Sequence, residues 1–237
     1  MRSVTEAMPS KIAAHDGLAY SLWLPRPETA LKGGVVILHG ADSCKESHHD
    51  YARLVLAAGF AAIAFDQRGH GASAGPLDTR VIDDSARMAE LLRAKAGDPE
   101  LPLALRGSSM GGYLAIVAAA PARAQAVVAI CPASASGLRR GLASGRFEFD
   151  VDADALDLLL AANDESAALA ALAIPVLLLH AEGDERVPVQ HSRELAARFA
   201  TPRSRLITVP GGHHRSVQHD GELQAVSLRF IEQALAR

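Results

Sequence analysis

A serine stands at the centre of the segment Gly-Ser-Ser-Met-Gly at residues 107–111, with a glycine two positions before it and another two positions after it. This serine, Ser109, fits the pattern G-x-S-x-G, which is typical of a sharp turn between a strand and a helix that exposes one hydroxyl group. Such a turn needs glycines because side chains there would collide with neighbouring backbone, and the serine itself is strained. The pattern predicts that Ser109 is a nucleophile.

A serine hydroxyl is a weak nucleophile at neutral pH, so it needs a base that takes its proton and a third group that orients the base. Candidates for both follow later in the chain. Asp184 comes shortly after the apolar run at 176–180, and His214 ends a Pro-Gly-Gly-His-His segment that follows the apolar run at 205–209. The order serine, acid, histidine predicts a catalytic triad of these three residues.

Neighbouring residues of the same types compete for these roles. Ser108 also lies in the turn, where a small residue at the end of a strand is the simpler explanation. His213 competes as the base, and we expect it to be a loop residue. Glu182 and Glu185 flank the predicted acid, and we expect each to be a solvated loop charge.

Two other clusters raise the possibility of a metal or a dinucleotide site. His48-His49-Asp50, with His39 and His70, contains metal-ligating residue types, but adjacent histidines on a helix point about 100° apart, and no further cluster has ligand spacing. A solvated helix start, with Ser47 near its cap, is the better interpretation. The glycine-rich stretch 69–75 has the wrong spacing for a dinucleotide loop and predicts a structural turn. We expect no metal and no cofactor.

Composition argues against several classes of protein. The chain has 237 residues and a net charge of −3 with acids and bases interleaved, so we expect neither a nucleic acid nor a membrane as partner. Cys44 and Cys131 are too few for a disulfide framework and are expected to be small fillers. Residues 1–14 lack the apolar segment of a secretory signal, and no apolar run approaches bilayer length. We therefore expect a cytoplasmic protein.

The elements that must position these residues alternate along the chain. Strands are predicted at 11–14, 18–23, 35–38, 60–65, 101–105, 126–130, 176–180 and 205–209, and helices at 50–58, 80–96, 113–120, 192–199 and 222–235. Most apolar runs lack two-residue alternation, which is typical of parallel strands covered on both faces. The alternation predicts an α/β fold with a doubly wound, mostly parallel sheet that binds ligands at the carboxyl ends of its strands.

One segment interrupts this alternation after the sixth strand. Residues 134–173 begin with a polar, arginine-bearing stretch at 134–146 and continue with Ala/Leu-rich helical patterns at 154–162 and 165–173. We expect residues 1–237 to form a single domain in which 134–173 is a short cap-like insertion that partly covers the site. An ordinary long connection is the alternative. The Ala/Leu-rich helices are also a candidate homodimer contact.

With these motifs the chain resembles the α/β-hydrolase superfamily over nearly its whole length. It is most similar to the serine-hydrolase branch that includes monoglyceride-lipase-like esterases and prolyl-peptidase relatives. The matching segments are Leu38-His39-Gly40, residues 65–73, residues 107–112, Gly183-Asp184 with Val187-Pro188, and residues 210–214. The resemblance implies that Ser109 is the nucleophile and Asp184 the acid. It selects His214 as the base, because this histidine stands three residues after the first glycine of the Pro-Gly pair.

The same layout predicts where a developing negative charge would be bound. Two backbone N–H groups must already point at the oxyanion, because reorienting dipoles during the reaction is costly. One is expected to be the amide of Met110, at the start of a helix whose positive end favours an anion. The other is expected to be the amide of Ala41, which follows His39-Gly40.

Together these inferences predict a serine hydrolase that cleaves a small to medium carboxylic ester through an acyl-enzyme. The shortness of the covering segment favours a small substrate. The same triad would also serve a thioesterase, an amide or peptide hydrolase, an acyltransferase or a carbon–carbon bond hydrolase. An alternative of another class is a non-catalytic protein that binds a ligand on the same fold.

Overall fold

Eight strands form one sheet in the computed structural model, which describes residues 7–236. The strands are β1 (Lys11–His15), β2 (Leu18–Trp23), β3 (Gly34–Leu38), β4 (Ala61–Phe65), β5 (Leu103–Ser108), β6 (Ala126–Ile130), β7 (Val176–Ala181) and β8 (Arg205–Val209). Their spatial order is β1-β2-β4-β3-β5-β6-β7-β8. The β1–β2 and β2–β4 pairs are antiparallel and the other pairs are parallel. The predicted mostly parallel sheet is confirmed.

Helices connect the strands and cover both faces of the sheet. Within the described residues they are α1 (His49–Ala57), α2 (Val81–Ala96), α3 (Met110–Val117), α4 (Ala135–Ala143), α5 (Ala153–Ala162), α6 (Glu165–Ala171), α7 (Val189–Ala196), α8 (Ser216–His219) and α9 (Gly221–Leu235). A 3₁₀-helix, Lys45–His48, precedes α1. Side chains of α2 and α3 belong to one apolar cluster, whereas those of α1 and α9 belong to a second. The sheet is therefore doubly wound, as predicted.

The five central strands β3 to β7 are buried along their whole length. A strand covered on both faces has no polar face, which explains why these apolar runs show no alternation in the sequence. Parallel strands also end at the same edge of a sheet. The turn with Ser109 and the loops that carry Asp184 and His214 all follow such strand ends, so the fold gathers them at one edge.

The 134–173 segment is attached to the glycine-rich stretch 69–75 and to Leu77, which follows it, by backbone hydrogen bonds. Gly69 N–H donates to the Gly75 carbonyl at 2.7 Å and closes the turn, and Asp150 N–H donates to the Gly69 carbonyl at 3.2 Å. Leu77 N–H donates to the Asp150 carbonyl at 2.9 Å, and Asp152 N–H donates to the Leu77 carbonyl at 3.0 Å. A Cβ at Gly69 would lie 1.9 Å from that Asp150 carbonyl oxygen. The stretch 69–75 is thus the structural turn that the sequence predicts. The cap-like role of the segment stays a prediction.

The first helix of this segment, α4, was not predicted. It begins after Ser134, whose hydroxyl accepts the Gly137 N–H at 3.0 Å and so caps the helix. Gly137 and Gly141 weaken the helical pattern in the sequence because glycine has low helix propensity. A Cβ at Gly141 would lie 2.6 Å from the ring of Phe147, so a larger residue there would displace that ring.

No helix in the described part of the chain is long and apolar enough to cross a membrane. The prediction that residues 1–14 contain no secretory signal concerns, in part, residues 1–6, which lie outside the described residues.

Candidate active site

Ser109 occupies a strained turn between β5 and α3. Its backbone has φ 54° and ψ −120°, a conformation that non-glycine residues adopt only where the surrounding structure enforces it. A Cβ at Gly107 would lie 1.9 Å from the Gly111 carbonyl oxygen, and a Cβ at Gly111 would lie 2.3 Å from the Leu38 carbonyl oxygen. The crowding predicted for both flanking glycines is confirmed.

The backbone around Ser109 is tied to the end of β6. Ser109 N–H donates to the Ile130 carbonyl at 2.9 Å, and the Ser109 carbonyl accepts N–H groups from Gly112, Tyr113 and Ala133 at 2.9 to 3.1 Å. These bonds hold the strained conformation in place. The side chain is consequently fixed at the carboxyl edge of the sheet.

Asp184 and His214 are in hydrogen-bond contact. His214 Nδ1 lies 2.7 Å from Asp184 Oδ2. The other carboxylate oxygen, Oδ1, accepts the backbone N–H groups of Arg186 at 2.8 Å and Val187 at 2.9 Å. The Asp184 side chain is fully buried and that of His214 is 7% exposed. The loops after β7 and β8 therefore hold an acid and a histidine in a fixed mutual orientation.

A second histidine, His180, touches the same carboxylate, and sequence analysis did not identify it. His180 Nε2 lies 3.3 Å from Asp184 Oδ2 and 2.9 Å from the Val187 carbonyl oxygen, while Nδ1 lies 2.7 Å from Ser192 Oγ. The side chain is completely buried. The available signal was a histidine at the end of an otherwise apolar strand, four residues before the acid.

The ionisation of Asp184 follows from these contacts. Burial alone would raise the pKa of its carboxyl group, but hydrogen bonds from His180, His214 and the amides of Val187 and Arg186 outweigh it and hold the pKa well below its usual range. Asp184 is therefore a carboxylate at neutral pH. It accepts the Nδ1 proton of neutral His214, which leaves Nε2 of that ring free to accept another proton.

Ser109 and His214 line one cavity of about 670 Å³. Within residues 7–236 Ser109 Oγ makes no hydrogen bond to His214. Such bonds are often long in the absence of substrate and tighten in the reacting complex. Residues of the 134–173 segment, among them Leu138 and Phe147, form part of the wall. The structure thus brings all three predicted triad residues to one site.

The segment expected to supply one oxyanion donor is held by His39. Its Nδ1 donates to the Gly40 carbonyl at 2.7 Å, Nε2 accepts the Gln67 N–H at 2.9 Å, and Gln67 Nε2 donates to the His39 carbonyl at 2.6 Å. Burial lowers the pKa of His39 to about 4, so the ring is neutral at pH 7, as this bonding pattern requires. A Cβ at Gly40 would lie 3.2 Å from Ser109 Cβ. The segment therefore lies directly against the serine.

The amides of Ala41 and Met110 are both free of protein acceptors in the described part of the chain. Ala41 follows Gly40 on the cavity wall. Met110 is the first residue of α3, where backbone N–H groups have no partner within the helix. Both amides thus remain able to bind an anion, and their role as oxyanion donors stays a prediction.

The competing residues occupy different surroundings. His213 is exposed, and its Nδ1 accepts the Arg215 N–H at 3.3 Å. Glu182 pairs with Arg193 at 3.0 Å on the surface. Ser108 is buried at the end of β5 and contributes to the cavity wall.

Glu185 is an exposed loop charge, as expected, with its side chain 58% exposed. Its carboxylate oxygen Oε2 also accepts the backbone N–H of His214 at 3.0 Å. This contact, which was not predicted, links the loop of Asp184 to the backbone of His214. Sequence patterns do not predict this contact, because the two residues are 29 positions apart in the chain.

The interpretation of residues 48–50 as a solvated helix start is correct in part. Helix α1 begins at His49, and the exposed Asp50 accepts the Tyr51 N–H through Oδ1 at 2.7 Å. His48, however, is buried, and its ring stacks near that of His219, at 6.5 Å between centroids. Asp50 Oδ2 also lies 3.0 Å from His219 Nδ1 and accepts from Gln224 Nε2 at 2.7 Å. The burial of His48 has a tertiary cause, because α8 and α9 cover a helix start that looks polar in the sequence.

The potential metal ligands that come together belong to the same site. Among residues 7–236 one such group has three members, Cys131, Asp184 and His214, with ligand atoms within 4.8 Å of one another. Four hydrogen-bond donors already engage the two Asp184 oxygens. Burial raises the pKa of the Cys131 thiol, so it is not a thiolate at neutral pH. The donor set therefore suits acid–base chemistry better than metal binding.

The two cysteines have different positions. Cys131 adopts φ 43° at the end of β6 and is buried, as expected of a small filler, with its Sγ within 4.8 Å of side-chain atoms of Asp184 and His214. Cys44 Sγ lies 3.7 Å from Ser47 Oγ. Both are free thiols.

Comparison with known proteins gives concordant matches. A family model described as serine aminopeptidase, S33, matches residues 29–147, and one described as TAP-like protein matches residues 161–231. The monoacylglycerol lipase of Mycolicibacterium smegmatis is 29% identical over 245 residues, covering 83% of this chain and 85% of that protein. The first family model spans Ala41, Ser109 and Met110, and the second spans Asp184 and His214.

Solved structures share the fold. A soluble variant of the monoglyceride lipase from Saccharomyces cerevisiae, in complex with a substrate analogue, aligns with a TM-score of 0.73 and 16% identity over 99% of this chain and 97% of that chain. The α/β hydrolase GrgF from Penicillium sp. aligns with a TM-score of 0.74 and 18% identity over 93% of this chain and 95% of that chain. At these identities the likeness establishes the fold alone.

Proposed function

Because the chain belongs to the α/β-hydrolase superfamily, with its first half matching the serine aminopeptidase S33 family, we propose that it is a serine hydrolase that cleaves a small to medium carboxylic ester. The observation that carries the proposal is Ser109, a strained serine on the wall of a cavity that also contains His214 paired with Asp184. The monoacylglycerol lipase of M. smegmatis, a 29% identical relative, supports ester hydrolysis. The cavity volume, about 670 Å³, suits a small-molecule substrate.

In the first half of the reaction the ester acylates the serine. His214 Nε2 takes the hydroxyl proton of Ser109, and Oγ attacks the carbonyl carbon. The negative charge that develops on the carbonyl oxygen is bound by the amides of Ala41 and Met110. The intermediate then collapses, the bond to the alcohol oxygen breaks, and His214 gives its proton to the departing alcohol. Asp184 stabilises the imidazolium ion and fixes its orientation.

In the second half water releases the acid. His214 takes a proton from a water molecule, whose oxygen attacks the acyl carbon of the acyl-enzyme. The bond to Ser109 Oγ breaks and the serine recovers its proton from His214. Ester and water are thereby converted to acid and alcohol, and the protein side chains return to their starting protonation states.

The decisive experiment is hydrolysis of p-nitrophenyl esters from acetyl to palmitoyl by the intact protein and by Ser109→Ala. We expect the highest turnover on short or medium chains. The alanine variant should lose activity by at least about a thousandfold while keeping its fold. Without the nucleophile, the oxyanion donors and substrate binding retain only a small part of the full rate enhancement. Retained esterase activity in Ser109→Ala would refute the assignment.

Two neighbouring residues provide matched controls. Ser108→Ala removes a hydroxyl next to the nucleophile, and His213→Ala removes an imidazole next to the base. We expect both variants to keep most of the activity, whereas His214→Ala should lose as much as Ser109→Ala.

Amide hydrolysis is the second candidate, because the matched family is described as a serine aminopeptidase. It uses the same residues with an amine as leaving group. Amino-acid p-nitroanilides assayed beside the p-nitrophenyl esters separate the two activities, and serine-dependent turnover confined to the anilides would replace the ester proposal.

A further inference from the structure

Three arginines without protein partners stand on the wall of the cavity that contains Ser109. Arg140 lies on α4, Arg146 follows that helix, and Arg215 directly follows His214 in the chain. Within residues 7–236 the guanidinium groups of these arginines form no ion pair and no hydrogen bond. Arg139, next to Arg140 on the same helix, is by contrast paired with Asp157 at 2.7 Å.

The charge of the wall opposes that of the whole chain. The wall carries four arginines, the fourth being Arg186, and three carboxylates. With histidines counted as neutral, its net charge is 4 − 3 = +1, whereas the chain has a net charge of −3. The acids are Asp42, Glu148 and Glu185, and Glu185 already accepts the His214 N–H and lies 3.9 Å from Arg186 Nε.

We propose that the substrate carries a negatively charged carboxylate or phosphate group besides the bond that is cleaved, and that Arg140, Arg146 and Arg215 bind this group. The inference rests on the proposed function, because it names the substrate class of the same site. A guanidinium offers a planar fork of donors that matches both kinds of oxyanion. Since no protein carboxylate occupies the three groups, an anion binds without displacing one.

The arginines reach the cavity wall from two parts of the chain. Arg140 and Arg146 belong to the 134–173 segment, and Arg215 follows His214 in the loop after β8. Leu138 and Phe147 supply apolar surface on the same wall for the hydrocarbon part of the substrate. The net positive charge of the wall also favours the approach of an anionic substrate.

Two matched pairs of esters test the inference and locate the charge. Mono-p-nitrophenyl glutarate and p-nitrophenyl pentanoate have acyl chains of equal length that end in a carboxylate or a methyl group. Butyrylglycerol 3-phosphate and butyrylglycerol differ by a phosphate on the alcohol. We expect kcat/KM to favour the charged member by about tenfold in one pair, since each exposed ion pair contributes about two- to fivefold. High salt should reduce the preference because it screens exposed charges.

Substitution of the arginines identifies the binding groups. Arg140→Gln, Arg146→Gln and Arg215→Gln should each lower the charged-to-neutral ratio of kcat/KM by about two- to fivefold, and the triple variant should bring the ratio near one. Arg139→Gln is the matched control on the same helix. It should leave the ratio unchanged, because Arg139 pairs with Asp157 and does not line the cavity.

The outcomes separate this inference from the proposed function. Serine-dependent turnover with no preference for the charged member of either pair overturns the inference and leaves the hydrolase standing. Absence of serine-dependent turnover on all four esters overturns the proposal that the protein is an ester hydrolase. In that case titration of glutarate and glycerol 3-phosphate into Ser109→Ala decides the inference: binding that the triple arginine variant abolishes supports it, and no binding overturns it.

Discussion

Asp184 shares its Oδ2 atom between two histidines, of which His214 alone lines the cavity. His180 makes the other contact from inside the protein. Its Nε2 must carry a proton, because the Val187 carbonyl at 2.9 Å can only accept, while Nδ1 lies 2.7 Å from Ser192 Oγ. The ring is thereby held as a donor that restrains the carboxylate on the side away from His214.

A substitution at His180 measures this restraint. His180→Gln should lower kcat for a p-nitrophenyl ester by about ten- to a hundredfold with a small change in KM, because a misplaced carboxylate misorients the base without altering the substrate wall. Ser85→Ala is the control for loss of a buried polar side chain, since Ser85 is fully buried on α2, bonds to the Val81 carbonyl of its own helix and does not line the cavity. Equal losses in kcat for both variants, or a change confined to KM, would contradict a positioning role.

The carboxylate itself has a larger expected effect. Asp184→Asn should lower kcat by about ten-thousandfold, because the amide donates a hydrogen bond where the carboxylate accepts one and favours the wrong tautomer of His214. Glu182→Gln is the matched control, since Glu182 lies two residues away and pairs with Arg193 on the surface. Full activity of Asp184→Asn would show that another acid serves the base.

At the scale of elements, the turn at Ser109 depends on how closely β3 and α3 approach. Gly111 lies in the first turn of α3, where a Cβ would meet the Leu38 carbonyl oxygen at 2.3 Å and the His39 carbonyl oxygen at 2.5 Å. Backbone atoms cannot give way as the end of a flexible side chain can. The start of α3 and the end of β3 would have to move apart, and the residues that follow β3, His39 to Ala41, would move with them.

Gly111→Ala is therefore expected to lower the free energy of unfolding by about 2 to 4 kcal/mol or to prevent folding, as overpacking and backbone strain together imply. Gly221→Ala is the matched control at the first residue of α9, where a Cβ would meet no atom within 4 Å. That change should be neutral or slightly stabilising. Urea unfolding of both variants, followed by circular dichroism, provides the comparison, and equal stability of the two would contradict the crowding argument.

The elements that sequence patterns could reveal are those whose signal is local. The central strands are mostly apolar runs, with Arg106 in β5 and His180 in β7 as exceptions. The glycines of the G-x-S-x-G pattern indicate the sharp turn. Helix α4 was missed because two glycines interrupt it, and α8 because its four residues, Ser216–His219, are too few to show a helical period. The same limit applies to the site. Asp184 and His214 each follow a recognisable strand, whereas the contacts of His180 and Glu185 exist only once separate loops meet.

At the scale of the whole molecule, burial of histidines links folding to pH. Burial lowers the pKa of five histidines below the ordinary value of 6.5, namely His39, His48, His49, His70 and His191. These rings are neutral in the folded protein, but they take up protons in the unfolded chain once the pH falls below about 6.5. The unfolded state then binds more protons than the folded state, so stability increases with pH across this window.

The free energy of unfolding should therefore be fully retained above pH 6.5 and fall progressively as the pH is lowered towards 4. The pKa of His39 is lowered from 6.5 to about 4 in the folded protein. At about 1.4 kcal/mol per pKa unit, this shift alone should lower the free energy of unfolding by about 3 kcal/mol as the pH falls through this window. The lowered pKa of Asp184 acts in the same direction but only below its ordinary value of 3.8, and the lowered pKa values of Glu46 and Glu185 act below their ordinary value of 4.5. The window between pH 6.5 and 5 therefore reports mainly on the histidines.

Urea midpoints at pH 7.5, 6 and 5 and constant ionic strength would measure this dependence. His39→Gln keeps one donor and one acceptor but cannot be protonated, so its midpoint should fall less steeply than that of the parent protein. His213→Gln removes an exposed histidine and should leave the slope unchanged. A midpoint that stays constant between pH 7.5 and 5, or His39→Gln with the parent slope, would contradict the argument. Agreement would mean that the His39 ring, which holds Gly40 and Ala41 against Ser109, also makes the folded protein less stable in acid.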